Sequence, residues 1–240
     1  MNIFRPSPQF CQGRPWRIET PWALQLAILA GAIMAGATAI FAILLFGKAL
    51  PHMLQEATIQ AAVLTTVLVS FALVPPRGKL AAKLGLLLPR WRDLGTVFIG
   101  LFIVYAWQIY SLPLWEKFLR RCNCSFEMRQ ELLTQCSRSS TAQFLAMLAV
   151  AGVLIPIVEE LFFRRLIFGA FRPFGVPAAL IATAFIFAGA HGFLYGLPAL
   201  FGLGAVFQWQ YLRTGNLLTP MLTHMIYNSI SLTLVFLLRQ

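Results

Sequence analysis

Residues 158–165 read VEELFFRR, which places two adjacent carboxylates and two adjacent arginines inside an otherwise apolar stretch. The whole chain of 240 residues contains eight acidic residues, and two of them are neighbours here. A carboxylate at membrane depth costs a few kcal/mol, roughly 2.5–3.5 on insertion scales, so it usually has a function or a partner. We therefore take Glu159 and Glu160 as the centre of a candidate site.

The composition around this stretch is that of an integral membrane protein. Hydrophobic residues make up 59% of the chain, whereas soluble domains contain about 45–50%. The apolar runs are long and do not alternate with polar residues, which favours membrane helices over a membrane barrel. The net charge of +11 comes mainly from loop residues, as expected for loops that contact anionic headgroups, so we expect no nucleic-acid partner.

The apolar runs predict an all-α, multi-pass helical bundle of about seven transmembrane helices. The predicted spans are residues 22–46, 57–74, 94–114, 141–168, 177–191, 197–212 and 218–238. We divide the chain into a basic N-terminal tail (1–21), N-terminal transmembrane helices and loops (22–140), and a catalytic core (141–240) within the same membrane domain. Basic residues in the loops favour a cytoplasmic N-terminus, although the loop 116–140 argues against it.

Two regions carry further expectations. Residues 77–92 mix basic and apolar residues, which indicates either a segment on the membrane surface or a solvated connector. The loop 116–140 holds Cys122, Cys124 and Cys136, which we interpret as free thiols or one loop disulfide, and this loop is a candidate for a short helix. Aromatic residues near the end of span 94–114 favour the membrane interface.

Polar residues recur at helical spacing on three of the predicted spans, 141–168, 177–191 and 218–238. Glu160 and Arg164 are four residues apart and can pair, while Glu159 lies about 100° around the helix and keeps a separate direction. His191 and Phe187 share a helix face, and so do His224 and Asn228. Packing between helices can explain each histidine pair taken alone, and a solvated, charged helix end can explain the glutamates and arginines. The packing explanation weakens because three separate helices each contribute such polar groups.

The combination has a chemical interpretation. A carboxylate can activate water, a histidine can assist it, and a second histidine with an amide can donate to an oxyanion. Alternatively, Glu159, His191 and His224 could bind zinc, although the chain has no H-E-x-x-H motif.

The ordered motifs resemble those of the intramembrane proteases related to the CAAX prenyl endopeptidase, including bacteriocin-processing and immunity-type members. The matching positions are Glu159-Glu160-x-x-x-Arg164, Phe187-x-x-x-His191 and His224-x-x-x-Asn228, together with the segment 212–224. The resemblance covers about residues 145–230 and implies that Glu159 is the water-activating base with His191 assisting. It further implies that His224 and Asn228 form the oxyanion hole, that Glu160 and Arg164 support the site, and that Phe187 packs against it.

The expected function is hydrolysis of a peptide bond in or near the bilayer, with a peptide or a membrane protein as substrate. The resemblance implies either a metal-free glutamate mechanism, which we favour, or a zinc metalloendopeptidase. We expect a bacterial plasma membrane location and no prenylated substrate. Two alternatives come from other classes: a non-catalytic immunity factor or scaffold of the same family, and a proton-relaying transporter. The transporter is disfavoured because no paired broken helices occur in matching halves.

Overall fold

The computed structural model describes residues 86, 90–128 and 130–238. The predicted basic tail (1–21), the predicted spans 22–46 and 57–74, and most of the segment 77–92 lie outside these residues. Everything below concerns the described part of the chain, which includes the three motifs.

The described residues form helices joined by short connections. The helices are α1 (Trp91–Arg121), α2 (Glu131–Arg138), α3 (Thr141–Phe174), α4 (Val176–Ala190), α5 (Leu197–Thr214) and α6 (Leu218–Leu237). No strand occurs between residues 90 and 238 where the backbone is described. The all-α prediction is therefore confirmed.

Three of these helices, α1, α3 and α6, are long and apolar enough to cross a membrane, and α4 is a shorter apolar helix. Large apolar side chains lie on their outer surfaces, as expected for contact with lipid; Phe98, Phe102 and Leu237 are each more than half exposed. The protein is thus an integral membrane protein. The count of seven spans is not confirmed, because two predicted spans lie outside the described residues and α5 is not apolar enough.

Helix α1 is longer than the predicted span 94–114 because polar groups close both of its ends. The backbone N–H of Arg90 donates to the Asp93 carboxylate over 2.8 Å at the start. Arg120 and Arg121 occupy the last turn, where positive charge is favourable next to the helix dipole. Pro113 lies inside the helix without ending it.

Helix α3 begins at a capping box and contains two π-helical segments. The Gln143 N–H donates to Ser140 Oγ over 3.3 Å, and the Ser140 N–H donates to Gln143 Oε1 over 2.8 Å. Its π-helical segments are Leu148–Leu154 and Phe162–Ile167, one on each side of the glutamates. The helix continues beyond the predicted end at residue 168 and stops before Gly175, whose φ of 97° favours glycine.

Helix α5 is the centre of the bundle and contacts α1, α4 and α6. Two glycines permit this close packing: a Cβ on Gly202 would clash with the Trp107 ring, and one on Gly204 would lie 3.1 Å from the Ala184 backbone. The apolar core beside these contacts consists of Val104, Phe163, Ile167, Phe187, Leu203, Val206 and Phe207.

The connection between α1 and α3 contains the three cysteines. Cys122 and Cys124 have exposed free thiols. Cys136 is buried on α2, and its thiol donates to the Leu232 carbonyl over 3.4 Å. The short helix predicted within the loop 116–140 is α2, Glu131–Arg138.

Candidate active site

The two adjacent glutamates have different environments because consecutive helical residues differ in direction by about 100°. Glu160 is fully buried and faces the interior of the bundle. The Glu159 side chain is 14% exposed and lines a cavity between the helices. Of the two glutamates, Glu159 is therefore the one that reaches the cavity.

Glu160 forms a buried ion pair with Arg164, the pair that their four-residue spacing predicts. Arg164 Nε donates to Glu160 Oε2 over 2.8 Å, and Arg164 Nη2 donates to Oε1 over 3.4 Å. Arg164 Nη1 donates to the Gly204 carbonyl over 3.0 Å and to Gln208 Oε1 over 3.4 Å. Both side chains of the pair have 0% exposure, so the arginine links the glutamate to α5 without contacting solvent or lipid.

His224 on α6 approaches both glutamates. Its Nδ1 lies 3.2 Å from Glu160 Oε1, and its Nε2 lies 3.8 Å from Glu159 Oε2. When Glu160 is ionised its oxygens only accept hydrogen bonds, so Nδ1 carries the hydrogen in that contact. The ring stacks on Phe207 with a centroid distance of 4.7 Å, which fixes its plane.

His191 lies immediately after the last residue of α4, and its ring is held by its own helix. Its Nδ1 lies 2.7 Å from the Phe187 carbonyl oxygen. A carbonyl can only accept, so Nδ1 carries the hydrogen, and Nε2 of the neutral ring is left as an acceptor. The buried Phe187 ring contacts both histidines, with centroid distances of 4.7 Å to His191 and 5.9 Å to His224.

Asn228 is one turn beyond His224 on α6, and its Nδ2 donates to the Ala151 carbonyl over 3.0 Å. This carbonyl lacks the usual helical partners. The Ile155 N–H donates instead to the Val150 carbonyl, and Pro156, the π-helical partner, has no N–H. Asn228 therefore stabilises the π-helical segment that precedes the glutamates.

A cavity of 390 Å³ brings the predicted residues together. Its wall includes Glu159, Phe187, His191, His224 and Asn228. Glu160 and Arg164 do not line it, since they lie behind His224. The structure thus places the four residues with predicted catalytic roles on one cavity, while their chemical roles remain predictions.

The residues present do not provide the alternative zinc site. Within residues 90–128 and 130–238, no three His, Cys, Asp or Glu side chains are grouped so that they could hold one metal ion. Glu159, His191 and His224 share the cavity but not a common coordination point.

Sequence reasoning missed the contribution of α1 to the cavity. Gln108 and Leu112 line it, and Gln108 Nε2 donates to the Tyr227 hydroxyl of α6 over 2.5 Å. A glutamine within the apolar span 94–114 was a detectable signal, because a polar side chain in a membrane helix needs a partner. Gln208 on α5, which accepts from Arg164, carried the same signal.

Two tryptophans of α1 hold the connection that follows His191. Trp115 Nε1 donates to the Leu194 carbonyl over 2.9 Å, and Trp107 Nε1 donates to the Pro198 carbonyl over 2.7 Å. Their aromatic character predicted an interfacial position, but these hydrogen bonds give them a second role. Burial and the charge of Glu116 raise the pKa of Tyr195 in the same connection, so its hydroxyl stays protonated and donates to that carboxylate.

Comparison with known proteins adds independent support for the C-terminal half. A protein-family description, "Type II CAAX prenyl endopeptidase Rce1-like", matches residues 141–230. The chain is 36% identical over 84 residues to the "Membrane-embedded CAAX protease MroQ" of Staphylococcus aureus (strain USA300). That alignment spans 32% of this chain and 34% of the relative. No solved structure matches the chain significantly.

The matched residues begin at the first residue of α3 and end within α6, so they include every motif position that lies on the cavity or behind it. Helix α1 and the α1–α3 connection lie outside the match. Residues 141–230 therefore carry the Rce1-like CAAX prenyl endopeptidase pattern, and the resemblance to this family is confirmed.

Proposed function

We propose that this protein is an intramembrane endopeptidase of the CAAX protease type, which hydrolyses a peptide bond in or near the bilayer. One observation carries the proposal: Glu159, His191, His224 and Asn228, from three helices, line the same cavity of a membrane protein. The match of residues 141–230 to an endopeptidase family and the printed name of the relative support it.

Water activation is assigned to Glu159 and His191. Both line the cavity, and His191 Nε2 is an acceptor because Nδ1 donates to the Phe187 carbonyl. A water that donates one hydrogen to the Glu159 carboxylate and the other to Nε2 directs its lone pair at a substrate carbonyl. Glu159 then takes the proton as the carbon–oxygen bond forms, as a general base does.

Oxyanion stabilisation is assigned to His224 and Asn228. The Asn228 amide has two hydrogens, and only one is donated to the Ala151 carbonyl. For His224 to donate from Nε2, both ring nitrogens must carry hydrogen, because Nδ1 already donates to Glu160. The active form in this scheme has an imidazolium, and its charge with that of Arg164 balances the two glutamates.

The proposed substrate is a peptide or a membrane-protein segment. The cavity wall beyond the catalytic groups is largely apolar, with Leu112, Met147 and Leu200 among its residues, which suits an apolar stretch of chain. No prenyl group is required by this arrangement. The proposed location is a bacterial plasma membrane.

The test is cleavage of a quenched peptide library by detergent-purified protein, with Glu159→Ala and His191→Ala as variants. We expect wild-type cleavage that is lost by at least about 100-fold in both variants, since general-base catalysis contributes about 10²–10⁴-fold. Each protein is also assayed with a chelator, and undiminished cleavage supports the glutamate mechanism. Variants that cleave as well as wild type would contradict the site. A folded wild type that cleaves nothing would favour the non-catalytic scaffold.

A further inference from the structure

Several polar side chains on the cavity wall have no part in the proposed mechanism, and the amide of Gln108 is the one that α1 contributes. It is contributed by α1, outside the residues that match the endopeptidase family. The side chain is half-buried in the cavity wall. The mechanism above assigns a role to each glutamate, histidine and asparagine on the cavity but none to this glutamine.

Tyr227 fixes the orientation of the Gln108 amide. Gln108 Nε2 donates to the Tyr227 hydroxyl, so the other amide atom, Oε1, is available as an acceptor. Tyr227 follows His224 by three residues and directly precedes Asn228, so this contact lies beside the proposed oxyanion donors. The Tyr227 ring is held in turn by the Tyr105 ring at a centroid distance of 5.5 Å.

The hydrogen bond of the Gln108 amide within the described part of the chain is the one donated by Nε2, and the half-buried side chain leaves Oε1 accessible from the cavity. If Gln108 served only to join α1 to α6, its Nε2 donor would suffice, and the acceptor Oε1 would have no function. A polar atom in an apolar membrane cavity costs free energy unless a donor reaches it. A peptide substrate brings a regular series of such donors, its backbone N–H groups.

We propose that Gln108 Oε1 accepts a hydrogen bond from a backbone N–H of the peptide substrate, with Tyr227 as the residue that positions the amide. This assignment rests on the proposed function, since it needs a peptide in the cavity. It makes α1 part of the substrate-binding surface. Because the contact is to the main chain, it aligns the peptide beside Glu159 without selecting a particular side chain.

The first measurement is steady-state cleavage of one peptide by Gln108→Met, which keeps the side-chain length and removes the acceptor. Loss of one neutral hydrogen bond predicts a KM about 3- to 10-fold higher with kcat changed by less than about 2-fold. Tyr227→Phe frees the amide to rotate and predicts a smaller rise in KM. Gln135→Met is the control, because Gln135 on α2 does not line the cavity.

The second measurement uses peptides in which single backbone N–H groups near the scissile bond are replaced by ester oxygens. We expect one ester position to raise the KM of wild type. On that ester peptide, Gln108→Met should have the same KM as wild type, because the ester and the substitution remove the same hydrogen bond. Should Gln108→Met fold poorly, Tyr227→Phe is compared with wild type on the same esters and must lose its KM defect at that one position.

The outcomes separate the two proposals. Wild-type cleavage with an unchanged KM in Gln108→Met overturns the Gln108 assignment alone. The assignment is also overturned if Gln108→Met raises KM by the same factor on every ester peptide, including the one on which wild type has a raised KM. A folded wild type that cleaves none of the peptides overturns the proposed function, and the Gln108 assignment with it.

Discussion

Replacing Arg164 with methionine should destabilise the protein strongly, because it leaves the Glu160 carboxylate buried without its cation. Both side chains have 0% exposure, and the Nε to Oε2 distance is 2.8 Å. Breaking a buried pair by removing one partner costs about 3–5 kcal/mol. At about 2–4 °C per kcal/mol for a chain of this size, the melting temperature should fall by at least about 6 °C.

The structure supplies a matched control at the same spacing. Arg120 and Glu116 on α1 are also four residues apart and 2.8 Å apart, but the Arg120 side chain is 63% exposed. An exposed pair contributes about 0–1 kcal/mol, so Arg120→Met should lower the melting temperature by less than about 4 °C. The double variant Arg164→Met with Glu160→Gln should recover part of the loss, since no buried charge remains.

The assay is thermal unfolding in detergent, followed by tryptophan fluorescence, for wild type and these three variants. The two ion pairs have equal spacing and equal shortest distances, but the Arg164 pair is buried and Arg164 also donates to Gly204 and Gln208. Equal melting temperatures for Arg164→Met and Arg120→Met would refute the prediction. A double variant less stable than Arg164→Met would show that Glu160 is stabilised chiefly by other groups.

Two further changes test the contacts around the catalytic helices. Asn228→Leu leaves the Ala151 carbonyl without a donor and should lower the free energy of unfolding by about 1–3 kcal/mol, measured by denaturant unfolding. Adding Pro156→Ala restores a backbone N–H that can bond to this carbonyl, so the double variant should lose less stability. Trp115→Phe removes the hydrogen bond to the Leu194 carbonyl and should lower the free energy of unfolding by about 0.5–1.5 kcal/mol. In steady-state cleavage, kcat should fall by a larger factor than KM changes. An unchanged kcat in a destabilised variant would limit Trp115 to a structural role.

The sequence predicted contacts within a helix better than contacts between helices. The Glu160–Arg164 pair follows from a four-residue spacing, because that spacing brings two side chains to one helix face. The contact between His224 and Glu160 joins residues 64 apart, and that between Gln108 and Tyr227 joins residues 119 apart. Nothing in helical periodicity relates such positions, since they depend on how the helices pack.

Helix boundaries were predicted less well than the existence of helices, for a related reason. An apolar run locates the part of a helix that lies in the hydrocarbon of the membrane. Polar caps and basic residues in the last turn let the helix extend beyond that run. Helix α1 thus reaches residue 121 instead of 114. The apolar run 141–168 also does not reveal the π-helical segment of α3 that ends at Leu154, two residues before Pro156.

The two neighbouring glutamates can have separate roles only because a third residue distinguishes them. Both are within reach of His224, but Glu160 accepts its Nδ1 hydrogen at 3.2 Å whereas Glu159 lies 3.8 Å from Nε2, beyond an ordinary hydrogen bond. Arg164 engages both oxygens of Glu160, so that carboxylate is fixed and enclosed. Glu159 is left partly exposed on the cavity, as the base in the proposed mechanism must be, and its neighbour holds the imidazole that faces the same cavity.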